Sequence, residues 1–128
     1  MMFLDLDGFK RVNDVHGHDV GDAVLQCTAE RLKQHARGDD TVGRFVGDEF
    51  LYLLTEIDTD HDTALVAQKI ADAVQLPFQL SIGELIIKPS IGIAIFPRDG
   101  TSLSALMKSA DTAMYKAKQG KLVYAFAS

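Results

Sequence analysis

Two clusters of carboxylates are the residues of this sequence best suited to chemistry. Asp5 and Asp7 lie in FLDLDGFK near the start, and Asp48 and Glu49 follow Gly47 directly in GRFVGDEF. Like charges on a tight turn flanked by Phe45, Val46 and Phe50 repel unless a cation or a proton compensates. If residues 1–6 form a strand, its side chains alternate, and Asp5 and Asp7 share a face near its C-terminal end. A hairpin turn carrying Asp48 beside that strand would bring the carboxylates together. Oxygen ligands completed by water and substrate phosphates are the usual way of holding Mg²⁺. The residues alone leave two readings open: a Mg²⁺ site for nucleotide phosphates, or turn carboxylates facing solvent.

Other chemistries find less support. No GxxxxGK[ST] or GxGxxG phosphate loop is present, nor an HExxH helix, and the single Cys27 rules out an internal disulfide or a zinc-spaced pair. Cys27 sits in an apolar helical pattern, where a buried structural thiol in a reducing compartment is expected. His16 and His18 flank a glycine and read as loop-stabilising residues rather than as a metal pair. A Ser/His/Asp triad cannot be argued from this pattern. With 13 Lys and Arg against 18 Asp and Glu, the formal net charge of −5 argues against a nucleic-acid binder. No apolar run approaches the roughly 18 residues of a membrane span, and a cytoplasmic location is expected.

The elements that must position these groups follow from periodicity and turn chemistry. The pattern predicts a strand over 1–6 broken at Asp7-Gly8, a short helix carrying Phe9, Val12 and Asn13, and a loop over 16–19. A helix over 20–36 follows, with Gly21, Leu25, Thr28, Leu32 and Ala36 on one face, Val24 beside them and Gly38 as its C-cap. Strands over 41–45 and 50–55 form a hairpin. Asp58 or Thr59 caps a helix ending at Val74, Thr59 with Asp62 resembling a capping box, and its apolar side is Leu65, Val66, Ile70, Ala73 and Val74. Extended segments over 77–81 and 84–96 come next, with Pro89 marking an irregularity or an edge. A turn over 97–100 leads to a helix over 103–118 with Leu103, Leu106, Met107, Ala110 and Met114 inward, stopped by Gly120. A strand over 122–126 closes the chain. One α+β domain is expected, with helices packed on a central, mostly antiparallel sheet.

Four blocks carry a resemblance at this point. DLDGFKRVNDVHGHDVGD, RFVGDEF, SIGIAIFPRDG and ADTAMYKAK occur in this order across nearly the whole chain. Together they resemble the GGDEF family of diguanylate cyclases. The resemblance implies the α+β fold shared with nucleotidyl cyclases and polymerase palm domains. It also implies condensation of two GTP into cyclic di-GMP with release of pyrophosphate, each subunit of a homodimer presenting one GTP. Mg²⁺ or Mn²⁺ would be the cofactor. By the same resemblance Asp5, Asp48 and the backbone carbonyl of Leu6 would ligate the metal. The 6–10 segment, with Phe9 and Lys10, would offer backbone amides to the phosphates. Asn13 and Asp22 would read the guanine edge, for which carboxamide and carboxylate are suited. Glu49 would join Asp48 as a catalytic residue, assisting at the ribose or the attacking-hydroxyl side, and Lys118 and Lys121 would approach the triphosphate. Arg37 and Asp40 match in type and distance the family's RxxD inhibitory product site.

The sequence departs from the family pattern in three places. Val46 stands where the signature has its first Gly, and a β-branched residue resists positive φ. The last helix reads Lys118-Gln119-Gly120-Lys121-Leu122, one residue short, with Lys in place of Arg and Leu in place of Asn. Taken as a single domain over residues 1–128, the chain is expected to lack the helix and DxLTxLxNR-like segment that usually precede the first strand. A catalytically degenerate module that binds GTP or cyclic di-GMP as a receptor is therefore the second expectation.

Overall fold

The computed structural model describes residues 1–38, 40–55 and 57–128. In chain order the elements are β1 (Met2–Leu6), α1 (Phe9–His16), α2 (His18–His35), β2 (Thr41–Arg44), β3 (Glu49–Leu53), α3 (Asp60–Val74), β4 (Phe78–Leu80), β5 (Gly83–Leu85), β6 (Pro89–Ile93), α4 (Leu103–Gln119) and β7 (Tyr124–Phe126). The main sheet runs β2-β3-β1-β6-β7. Its strands pair antiparallel except β6 with β7, which is parallel. The expected α+β architecture, a central mostly antiparallel sheet flanked by helices, is the one observed.

β1 lies at the centre of this sheet, and its alternation sorts the molecule into two layers. Met2, Leu4 and Leu6 enter the large core with Val24 and Leu32 of α2 and Ile70 and Val74 of α3. Met1 and Phe3 enter a smaller core with Leu106, Ala110 and Met114 of α4. The two-residue period therefore aims Asp5 at the α4 side. β6 obeys the same rule: Ile91 and Ile93 join the large core, while Gly92 faces α4. A Cβ on Gly92 would fall on the Ala110 carbonyl and the Met114 amide, so glycine lets α4 lie directly on the sheet. That height decides where Lys118, one turn beyond Met114, can reach.

Local signals explain most boundaries. The Thr59 side chain accepts from the Asp62 amide at 3.1 Å, and Ser102 accepts from the Ala105 amide at 3.1 Å. Arg31 ties α2 to the end of α3, donating to the carbonyls of Val74, Leu76 and Pro77 and lying 4.0 Å over the Phe78 ring.

The structure corrects several expectations. Only Gly17 separates α1 from α2, so the loop expected over 16–19 is a one-residue kink. The extended segment expected over 84–96 is two strands: β5 pairs with β4 in a separate ribbon, and β6 enters the main sheet at Pro89, a strand start where the missing N–H is tolerated. α2 is capped by Ala36 in an extended conformation, and Gly38 lies beyond it. Leu65 and Leu103 are exposed; Thr63, Ala67 and Ala71 on α3 and Ala113 and Ala117 on α4 are buried instead. Small residues take those places because the helices approach closely. Cys27 is half-buried.

Candidate functional site

Four of the residues singled out in the sequence meet at one edge of the α4 layer. Asp5 on β1 is opposite Glu49 on β3 and opposite Ser90 on β6. Asp48 immediately precedes β3, on the hairpin turn. Lys118 comes down from α4 and donates to Asp5 Oδ2 at 2.6 Å. A cavity of about 460 Å³ opens here, lined by Asp5, Glu49, Lys118 and, from α4, Asp111, Thr112 and Tyr115. Asp7 is held slightly apart, accepting from the Ser90 hydroxyl at 2.7 Å.

The electrostatics of the group are strained. Asp5 is only 9% exposed, and its Oδ1 finds no hydrogen-bond partner among the described residues. Asp48 lies within hydrogen-bonding reach of Asp5. Two ionised carboxylates offer each other only acceptors. The Asp48 carboxyl is accordingly pushed up to about 7, by burial first and then by the Asp5 hydrogen bond and charge, with Lys118 opposing. Burial, and then the charges of Asp111 and Asp5, push Glu49 upward too. The hydrogen bond to Asp5 raises Lys118 against the opposing effect of burial, and the charges of Asp5, Asp7 and Asp48 add to it.

These donors suit a hard divalent ion in one specific sense. Among the described residues no group of three His, Cys, Asp or Glu side chains could hold a metal alone. Two carboxylates with an orphaned buried oxygen are the kind of partial donor set that proteins offer to Mg²⁺, whose shells are commonly completed by water and phosphate oxygens. Leu6 is buried in the core, so only its backbone is available to such an ion.

Next to the carboxylates, the turn at Asp7-Gly8 starts α1. This helix has no side-chain cap and no acidic residue in its first turn, and Phe9 is buried while Lys10 is exposed. Phe9 can therefore serve a ligand only through its backbone amide. Asn13 packs against Gly21 of α2, the residue before Asp22. A Cβ on Gly21 would fall on Asn13 Oδ1 and lie 3.2 Å from Phe9 Cζ, so glycine makes room for both side chains. Asn13 Oδ1 is buried without a partner among the described residues, and Asp22, next to Gly21, is exposed.

The hairpin turn runs through Val46-Gly47-Asp48. The Glu49 amide donates to the Val46 carbonyl at 2.9 Å, and the Phe45 amide to the Glu49 carbonyl at 2.8 Å. Arg44 Nε donates to the Gly47 carbonyl at 2.7 Å, bracing the turn. Gly47 has φ 56°.

The family profile described as "Diguanylate cyclase, GGDEF domain" matches residues 1–122. The chain belongs to the GGDEF family. It is 46% identical over 127 residues to the bifunctional diguanylate cyclase/cyclic di-GMP phosphodiesterase MucR of Pseudomonas aeruginosa, covering 98% of this chain and 18% of MucR. The chain thus spans less than a fifth of the curated relatives it matches first. The structure of an EAL/GGDEF domain protein from M. capsulatus superposes with a TM-score of 0.92 at 45% identity, over 99% of this chain and 83% of that one. The GGDEF domain of PA1120 (YfiN or TpbB) from Pseudomonas aeruginosa gives 0.93 at 37% identity, over 99% and 80%.

Two departures from the GGDEF pattern now have a structural account. Lys121, φ 54°, is the sole non-glycine at positive φ among the described residues, so Val46 at the first signature position needs no left-handed backbone. The second signature glycine, Gly47, carries that requirement, and the Val46 side chain points to solvent, 62% exposed. At the other end, Gly120 caps α4 in a right-handed conformation and Lys121 takes the left-handed position. The Leu122 amide donates to the Ala117 carbonyl at 2.8 Å and the Lys121 amide to the Lys118 carbonyl at 3.3 Å, which is a Schellman motif with lysine where glycine is favoured. The glycine thus stands one position before the left-handed one. Lys121 is exposed beyond the helix end and does not line the cavity at Asp5, Glu49 and Lys118.

Arg37 and Asp40 sit elsewhere, in a second cavity of about 390 Å³ between the end of α2, β3 and α3. The Asp40 carboxylate is engaged by its own fold. Oδ1 accepts from the Thr55 amide at 3.0 Å, and Oδ2 accepts from the Arg37 amide at 3.1 Å. Tyr52 lines the same cavity, its hydroxyl buried and unpartnered among the described residues. Burial, reinforced by the Asp40 charge and opposed by Arg37, raises the Tyr52 hydroxyl.

Asp111 and Tyr52 were missed by sequence reasoning. Asp111 lies in the quoted ADTAMYKAK block, seven residues before Lys118 and so on the same helix face two turns away. That spacing was a usable signal. Nothing local marks Tyr52, which reads as an ordinary strand aromatic.

Proposed function

We propose that this chain is a GTP-condensing domain that forms cyclic di-GMP. One observation carries the reading: the buried, unpartnered Asp5 Oδ1 beside Asp48, with Lys118 on the other Asp5 oxygen, a carboxylate pair built for a cation. Asp5 and Asp48, helped by the Leu6 carbonyl, hold a divalent ion. Bound Mg²⁺ or Mn²⁺ supplies neutralisation of charge on the phosphates and acidification of the attacking hydroxyl. The uncapped amides at the start of α1, from Phe9 and Lys10, face the phosphates, and Lys118 adds positive charge. Asn13 and Asp22 read the guanine edge by accepting its N–H groups. Glu49 sits on the ribose side of the metal carboxylates. In a homodimer each GTP presents its 3′-hydroxyl oxygen to the α-phosphorus of the other. Two P–O bonds form, two pyrophosphates leave, and two protons are released.

Incubating the protein at high concentration with GTP and Mg²⁺, then separating products by chromatography, tests this directly. Cyclic di-GMP from the parent and none from Asp48→Asn is the expected result. A folded parent that yields no cyclic dinucleotide, alone or fused to a dimerising helix, overturns the reading.

A second reading is favoured by the cavity at Arg37, Asp40 and Tyr52: a receptor for cyclic di-GMP, with Arg37 as the phosphate or guanine contact. Calorimetry with cyclic di-GMP shows heat for the parent and none for Arg37→Ala if that reading holds.

A further inference from the structure

Lys118 makes an unusual contact for a residue expected to serve phosphates. Its ammonium is spent on a protein carboxylate: Nζ lies 2.6 Å from Asp5 Oδ2, the acid side chain being 12% exposed and the lysine side chain 40% exposed. The rest of α4 around it is fixed. Ala113 and Ala117 are buried, and the helix rests on the sheet at Gly92. The lysine stem is the part that can move. It has somewhere to go, because Lys118 also lines the open cavity of about 460 Å³ with Glu49 and Asp111.

A divalent ion seated between Asp5 and Asp48 brings two positive charges to within a few ångströms of that ammonium. The repulsion between them is not cancelled by water at a carboxylate as buried as Asp5. We propose that Lys118 is a built-in counter-ion of the carboxylate pair, competing with the divalent ion for Asp5 and swinging into the cavity when the ion binds. This rests on the metal-site reading given above. The competition couples two binding events. An ion on Asp5 frees the lysine for an anionic group in the cavity, and an anion in the cavity draws the lysine off Asp5 and strengthens ion binding. The two effects are equal by linkage.

Nucleotide-free Mn²⁺ binding, followed by the paramagnetic resonance signal of the free ion above neutral pH, reads the competition without any turnover. Lys118→Gln and Lys118→Ala both bind Mn²⁺ more tightly than the parent, by roughly 3- to 10-fold for loss of one partly exposed neighbouring charge. Lys118→Arg, which keeps a cation, stays near the parent. Lys116→Gln removes the same charge from an exposed position on the same helix and has little effect, which separates the local contact from net charge. Unchanged or weaker Mn²⁺ binding in both neutral variants overturns the proposal while leaving the metal site standing. No Mn²⁺ binding by any of these proteins overturns the metal site and the proposal together.

Discussion

The Asp5 and Asp40 regions hold the same functional group in opposite states. Each presents a carboxylate at the end of a strand beside a basic residue and a cavity. Asp40 accepts two backbone amides from its own loop and from Thr55, so its charge is satisfied by the fold. Asp5 accepts from one lysine, leaves its other oxygen unpaired among the described residues, and has a second acid within hydrogen-bonding reach. An unpaired buried acceptor costs stability that a cation, or a proton on the neighbouring acid, restores. The difference teaches which carboxylate waits for something and which fastens a loop. Sequence pattern makes them look alike, because each is an acid at a motif position.

The largest expected effect separates the two regions. Asp48→Asn abolishes cyclic di-GMP formation, a loss of at least about 100-fold for a metal ligand, and leaves the protein at least as stable as the parent at neutral pH. Asp40→Ala does the reverse. It costs about 1–2 kcal/mol of unfolding free energy through the lost amide contacts and spares turnover at low product concentration. Parallel chemical denaturation and chromatography check both, and equal behaviour of the two variants would break the comparison.

The pH dependence of stability sharpens it. The folded protein holds a proton on Asp48 up to about pH 7, well above the 3.8 ordinary for an Asp in an unfolded chain. A raised folded value means stability is highest below the unfolded value and is lost as pH rises through about 7. Metal-free melting temperature therefore falls between mildly acidic and neutral pH, and Asp48→Asn flattens that slope. Divalent ion binding has the opposite sense and strengthens as pH rises through the same range.

Gly21→Ala comes next in size. Its methyl group lands on Asn13 Oδ1 and displaces the Asn13 side chain, at a stability cost smaller than that of Asp40→Ala because the end of a flexible side chain can swing aside. Weaker binding of a GTP analogue in calorimetry, beyond the loss in Asn13→Ala, would show that Phe9 is displaced too. The smallest effect is at the end of α4. Lys121→Gly relieves a left-handed lysine and raises stability by about 0.5–1 kcal/mol, read as a shift in the denaturation midpoint.

Much of this arrangement was legible in the sequence, for identifiable reasons. The alternation through β1 predicted that Asp5 faces one layer, and GRFVGDEF predicted the hairpin that brings Glu49 opposite it. The Gly120 stop appears where the pattern put it, and of the two cap candidates Asp58 and Thr59 the structure uses Thr59. What stayed hidden depends on contacts between elements. Pro89 showed a break but not that residues 83–85 leave the sheet to pair with β4. Leu65 and Leu103 read as core beside Leu106, yet only Leu106 is buried and alanines take the inner positions, a choice set by the opposite surface. The role of Asp40 is likewise tertiary, because Thr55, its partner, lies 15 residues away. Val46 looked like a backbone fault, and only the turn geometry shows that its neighbour Gly47 carries the positive φ.

The most direct test of the distinction between the two carboxylates is amide NMR of the labelled protein titrated with Mn²⁺. Asp5 and Asp40 lie toward opposite ends of β3, one beside Glu49 and the other beside Thr55. The account predicts that line broadening begins and stays strongest at Asp5, Leu6, Asp48 and Glu49, with Arg37, Asp40 and Thr55 affected last. Broadening centred on Asp40, or no broadening of Asp5 and Asp48 at saturating Mn²⁺, would contradict it.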